Sequence, residues 1–507
     1  MPITDRSRHL YGAVALCAAL VHVGVLWNGF ALDDLYIVVR NPLVHSPDGI
    51  WRAFGEPYWP GNLTGTLYRP LAIATFAIDR LIGGAAWFHA VNVLWHVGVT
   101  LGVTVLARRW AGDGAALVAG LLFAVHPVHV EAVAAVVGRN ELMAAAFTLL
   151  AVYAALVRDS PGWSVVALAA GIFSKENAAV TPALIAWGWM VGVAPLPPRR
   201  RLATYGATWA ALAVAYGIIR WSVLHPYAGF QLAAPVFLDQ GPVGMRLTAI
   251  SALLDVARLL VFPLHLRADY SPLERTAVTS VLDARFLLTL AVLTAWAALV
   301  WLAWRRGRRL EAYGLGWIAI AFLPVSNLLF PTGIFVAERT LYLPSAGLTL
   351  AAGALLARLD QRRLAVVLSV LVLAGAARTI LRVPVWRDNR SAVLAMIEDA
   401  PLSYRTWDYV GWELVWAGQT GRALTAFQRA GELYPRDARI YLAAAHMAYA
   451  LERFAVADSL LDRADAVCDH CVTSYRNQAS AARLRGDSVA VDSLLARAHR
   501  LAADEGP

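Results

Sequence analysis

Stretches of about 20 apolar residues with few charges recur from residue 10 to residue 381. Each is long enough to cross a hydrocarbon core about 30 Å thick. Composition agrees: 59% of residues are apolar and 16% charged, with a mean hydropathy of +0.55, against roughly 45–50% and about 25% in soluble domains. The chain therefore reads as an all-α polytopic membrane protein.

Charge divides it in two. From Trp386 onward there are 14 Arg and 16 Asp plus Glu; the first 385 residues hold the remaining 30 basic and 19 acidic groups, a net +11. That excess sits in short loops: Arg108 and Arg109, Arg199 to Arg201, Arg305 to Arg309, Arg362 and Arg363. It reads as the positive-inside pattern of cytoplasmic loops rather than as a nucleic-acid surface. The run Leu10 to Trp27 lacks a small-residue cleavage pattern and reads as a retained signal-anchor helix.

An even number of crossings must separate each pair of basic clusters. Helices are expected at about 114–131 and 139–157, and a hairpin between Pro161 and Pro195 with "KEN" (Lys175, Glu176, Asn177) at its outer tip. The run Met245 to Leu266 carries Arg246, Asp255 and Arg258 and is expected to lie at the interface. About eleven crossings follow, with the N-terminus inside and everything after about Leu381 outside. Residues 28–86 then form a large outer loop, with an amphipathic helix from about Leu71 to Ile82 on the membrane surface.

After Trp386 the period changes. Trp407, Tyr441 and Tyr475 recur every 34 residues, as do Phe427, Leu461 and Leu495, and Ala430, Ala464 and Ala498. This is the register of tetratricopeptide repeats, about three of them, stacked as an α-solenoid with a concave face for peptides or proteins. The expected division is a membrane domain 1–385, a linker 386–403 and repeats 404–507. Cys468 and Cys471 form an isolated CxxC, read as a local disulfide rather than half of a zinc site.

Ionisable groups near a bilayer are costly and are functional candidates. On this topology many share the outer face: Asp33 and Asp34, Arg69, His89 with Asn92 and His96, His126, His129, Glu131, Arg139, Glu141, Lys175, Glu176, Glu338 and Arg339. Lys175 is the only lysine among 44 basic residues, and a compact ammonium suits a phosphate as a point charge. The histidine spacing alone is poor evidence for a metal, because polar packing between helices uses the same residues. A divalent metal stays open and is not favoured.

Taken in order, "FALDDLYIVVRNPLV", "LYRPL", "FHAVNVLWH", "FAVHPVHVEAVAAVVGRNELMAAAF", "SKENA", "AERTLYLPSAG" and the repeats give the chain a resemblance. It resembles the transmembrane and tetratricopeptide repeat-containing (TMTC) O-mannosyltransferases of the GT-C glycosyltransferase superfamily, over nearly its whole length. The resemblance implies a GT-C helix bundle, a sugar donor on a polyprenyl phosphate used on the outer face, a protein acceptor and a catalytic acid in the first outer loop. There an acceptor hydroxyl must lose its proton, so Asp33 or Asp34 would serve as base, and Arg69, Arg139, Lys175 and Arg339 would hold the anionic leaving group. Adjacent side chains diverge, so one aspartate is expected to catalyse while the other orients it. The remaining polar residues named above would support the site.

Arg- and Ala-rich usage suggests a bacterium of high genomic GC, and with it an undecaprenyl-type carrier, the inner membrane and a periplasmic C-terminal part. Three rivals stay open: transfer to a glycan or lipid, a non-catalytic scaffold, and a transporter. A scaffold needs no outer-face aspartate pair, and a transporter should place its ionisable groups nearer mid-helix.

Overall fold

The computed structural model describes residues 5–59, 67–225, 234–237, 240–467, 475, 479, 482 and 488–504. Among these there is no β-strand. Six helices are long and apolar enough to cross a membrane: Arg8–Trp27, Ala85–Ala124, Val136–Leu156, Arg199–Leu224, Ala284–Arg305 and Gln361–Trp386. The chain is an integral membrane protein.

The longer helices among the described residues are α1 (Asp5–His22), α2 (Pro70–Ile82), α3 (Ala85–Ala124), α4 (Arg139–Leu156), α5 (Pro161–Ser174), α6 (Thr181–Val191), α7 (Arg199–Leu224) and α8 (Pro242–Val261). There follow α9 (Ala284–Arg305), α10 (Arg309–Phe322), α11 (Tyr342–Leu356), α12 (Gln361–Arg382), α13 (Asn389–Asp399), α14 (Tyr404–Trp416), α15 (Thr420–Leu433), α16 (Ala438–Ala450), α17 (Phe454–Asp465) and α18 (Ser488–Asp504).

Their limits have local causes. Pro70, Pro161 and Pro242 open α2, α5 and α8, where a missing N–H costs nothing. Gly112, at φ 81°, breaks α3 into two helical runs. The expected helix 114–131 stops at Ala124, and the expected 245–266 stops at Val261. In both cases a proline follows closely, and the residue before it leaves helical geometry: His126 before Pro127, Phe262 before Pro263. The Pro161–Pro195 hairpin is present, as α5 and α6 joined by a short turn over Glu176–Val180.

The chain divides into two compact units. The first comprises Met1–Ala268 and Ala277–Ala392. Its core runs through α1, α3, α4, α10 and α11. Gly314 and Gly347 face each other so closely that a β-carbon on either would lie within 2.4 Å of the other's carbonyl oxygen. Small residues let membrane helices approach in this way.

The second unit comprises Asp269–Thr276 and Val393–Pro507. α14 packs on α15, α15 on α16 and α16 on α17, around Phe427, Tyr441, Leu461 and their neighbours. The segment Asp269–Thr276 was not expected here. Leu273 N–H donates to Leu402 O, Tyr404 N–H to Pro272 O at 3.1 Å, and Ser403 Oγ to Asp269 at 2.6 Å. Cys468 and Cys471 lie outside the described residues.

Candidate functional site

The site is built in the first unit from the loop after α1, the turns between α3 and α4, the α5–α6 tip and the turn before α11.

The two aspartates occupy different environments. Asp34 is buried, at 1% exposure. Its carboxylate accepts the N–H groups of Val137 (2.8 Å), Val136 (3.1 Å) and Ala31 (3.3 Å). Burial raises its pKa to about 7, against the three N–H donors, with Asp33 adding to the rise. Asp33 keeps 29% of its side chain exposed and lies 3.9 Å from Arg339 Nη2. Leu32, just before it, is a non-glycine residue in the left-handed region at φ 51°.

Arg339 is shared. Its Nη1 reaches Glu131 Oε1 at 2.6 Å, and its backbone N–H donates to Glu131 Oε2 at 2.8 Å. Lys175 pairs with Glu141, both buried. Burial holds the Lys175 ammonium below its usual pKa, Arg69 and Arg339 push the same way, and Glu141 opposes them. Arg69 Nε donates to Glu176 Oε2 at 3.0 Å, and its guanidinium lies 5.0 Å from the Tyr58 ring centre. Burial would raise the Glu176 pKa, but Arg69 and Arg220 outweigh it and the net shift is downward. Asp33, Arg69, Glu131, Glu141, Lys175, Glu176 and Arg339 thus form one field of alternating charge. In this field Arg69, Lys175 and Arg339 are each paired with a carboxylate.

Arg139 is not brought into this field. It is fully buried, paired with Asp79, and lies 4.9 Å from the Phe76 and 5.8 Å from the Phe88 ring centre. Its Nη2 donates to Phe88 O and its Nε to Asn92 Oδ1. This geometry surrounds the side chain with partners from α2, including Asp79, and from α3. Asn92 in turn donates to the carbonyls of Val133, Ala135 and Val136. It therefore shapes the turn whose N–H groups hold Asp34.

The histidines are structural neighbours too. His89 Nε2 meets Gly29 O at 2.9 Å. His96 contacts Tyr342 OH at 2.8 Å, and its ring lies between those of His22 and His129. His129 Nε2 meets Ser345 Oγ and His126 Nε2 meets Leu260 O. Glu338 accepts the Arg267 N–H. Among the described residues no group of three or more His, Cys, Asp or Glu side chains is arranged to hold a metal ion.

Sequence reading missed Tyr58, whose hydroxyl accepts from Asn140 Nδ2 at 2.8 Å, and Asn389, which accepts the Leu32 N–H at 3.0 Å. Asn140 stands beside the motif residues Arg139 and Glu141, so adjacency was a signal. Nothing local marks Asn389.

These observations define an all-helical integral membrane protein with a buried, charge-alternating site between its helix ends. No family model matches the chain. Its curated homologues are protein O-mannosyl-transferases of the TMTC group, as the motifs suggested. It is 28% identical over 502 residues to TMTC4 of Homo sapiens (82% of this chain, 65% of that protein). It is 26% identical over 464 residues to TMTC3 of Mus musculus (81% and 50%). The chain spans roughly half to two thirds of the length of such relatives. Among solved structures it has a TM-score of 0.40 and 15% identity to the oligosaccharyltransferase AglB of Archaeoglobus fulgidus in complex with an inhibitory peptide and a dolichol-phosphate, covering 75% of this chain and 56% of that one. A likeness that low carries no argument about fold or chemistry.

Proposed function

We propose that the protein is a GT-C type membrane glycosyltransferase that moves a hexose, mannose by its homologues' names, from a polyprenyl phosphate to Ser or Thr hydroxyls of proteins on the outer face. Asp33 is the general base. The observation that carries this is the division of labour in the aspartate pair. Asp34 is buried on three N–H groups, while Asp33 is half-buried, open to solvent and beside Arg339.

Asp33 takes the acceptor hydroxyl proton as oxygen attacks the anomeric carbon. The departing phosphate is already anionic and needs cations rather than an acid, a role for Arg339, Lys175 and Arg69. Arg139 supports the scaffold instead. His89, Asn92, His96, His126, His129, Glu131, Glu176 and Glu338 hold the surrounding turns.

The six long apolar helices support eleven crossings once α3 is divided at Gly112 and the shorter α5, α6, α10 and α11 are added. The 34-residue recurrence and the packed helix pairs α14–α15 and α16–α17 support a tetratricopeptide solenoid that presents the acceptor. The loop charges support an outer-face position for the repeats, and the Arg- and Ala-rich usage supports a bacterial inner membrane with the periplasm as that outer side.

The test is transfer by purified full-length protein from a synthetic mannosyl polyprenyl phosphate to a Ser/Thr peptide. Asp33→Asn keeps size and removes the base, so transfer should fall at least about 10²-fold. Full activity at matched expression would overturn the assignment.

A further inference from the structure

The loop that carries Asp33 is held from a distant part of the chain. Gly29 N–H donates to Arg387 O at 2.7 Å, and Leu32 N–H donates to Asn389 Oδ1 at 3.0 Å. Both partners come from the segment just beyond α12, which the sequence presents as a linker. Leu32 is the residue with left-handed backbone. An L-residue with a β-carbon disfavours that conformation, and it persists only where surrounding contacts over-determine it. The next residue is Asp33, whose carbonyl accepts from Tyr36 and Ile37 as a helical turn begins. Leu32 therefore sets the direction from which the Asp33 side chain leaves the backbone. Asp34, one position on, is fixed independently by Val136 and Val137.

We infer that Asn389 is a positioning residue for Asp33: by accepting the Leu32 N–H it holds the strained backbone that aims the Asp33 carboxylate toward Arg339. This rests on the reading of Asp33 as base. The segment just after the last apolar helix then belongs to the catalytic region.

The experiment compares Asn389→Ala, Asn389→Asp and Asp33→Asn as full-length purified proteins, with synthetic mannosyl polyprenyl phosphate and a Ser/Thr peptide. Asn389→Ala should lower kcat by about tenfold or more at unchanged KM for the donor, because small misplacements of a catalytic group cost rate rather than binding. Asn389→Asp keeps an acceptor for Leu32 and adds a like charge against the residue that precedes Asp33. It should restore kcat while moving the acid limb of the pH–rate profile to higher pH. Wild-type kcat in Asn389→Ala, or an unmoved acid limb in Asn389→Asp, overturns the inference. Should Asn389→Ala fail to fold, the acid limb of Asn389→Asp decides alone. Failure of the base reading shows separately, as full turnover by Asp33→Asn, and would remove the inference with it.

Discussion

The helix pairs after residue 404 and the loop around Asp33 are stabilised at very different sequence separations. In the helix pairs, partners are near neighbours. Gly411 lies against the Phe427 ring, Tyr441 OH donates to Gly431 O, and Tyr475 OH donates to Asp465. Around Asp33, the partners are far apart: Asp34 with Val137, Glu131 with Arg339, Leu32 with Asn389. Local packing repeats with the chain and leaves a period in the sequence. A site closed by distant turns leaves only isolated polar residues. Substitutions should therefore act regionally in the first case and on single chemical steps in the second.

The largest expected effect is that of Asp33→Asn. A loss of at least about 10²-fold in kcat, with an unchanged melting profile, would mark a residue that acts on chemistry and not on packing. A parallel loss of stability would break the contrast.

Next is Lys175. Lys175→Ala leaves Glu141 as an uncompensated buried charge, which costs about 3–5 kcal/mol, so poor folding is expected. The pair Lys175→Met with Glu141→Gln should recover the melting temperature but not donor affinity. Recovery of both would remove Lys175 from donor binding. Arg339→Ala should likewise raise the donor KM in steady-state assays, since a phosphate is present in ground and transition states alike.

Gly411→Ala sharpens the other side of the contrast. Its β-carbon would lie 2.4 Å from the Phe427 ring, and overpacking of this kind costs about 1–3 kcal/mol. Calorimetry should show the second unit destabilised, while transfer to a short soluble peptide continues. Loss of that transfer would tie the two regions together.

The last expected effect concerns pH. The Asp34 pKa is raised in the folded protein from 3.8 to about 7, so the folded state holds a proton that the unfolded chain releases. Its contribution to stability is full below about pH 4 and is lost as pH rises through about 7. The apparent Tm should fall across that window, and Asp34→Asn should flatten the slope. A slope unaltered by the substitution would assign it to other groups.

Much of this was legible beforehand, for physical reasons. Apolar runs declare membrane helices because length and hydropathy are local properties, and α4 and the α5–α6 hairpin fall where they were expected. Prolines moved two helix ends because a single residue outweighs a long apolar run. The Asp33–Asp34 pair was visible as chemistry, but the split between its members depends on Val136 and Val137, about a hundred positions away. Arg139 looked like the other outer-face cations. Its confinement between Phe76, Phe88 and Asp79 comes from how α2, α3 and α4 pack, which no local pattern records.

Lys175 has a practical consequence. Apart from the terminal amine, a reagent that acylates amines has one target in the whole chain, and that target is 7% exposed and paired with Glu141. Its labelling rate therefore works as a clock. Under conditions where the reagent itself reacts quickly, modification of Lys175 times how often the charged site opens to the surrounding solution.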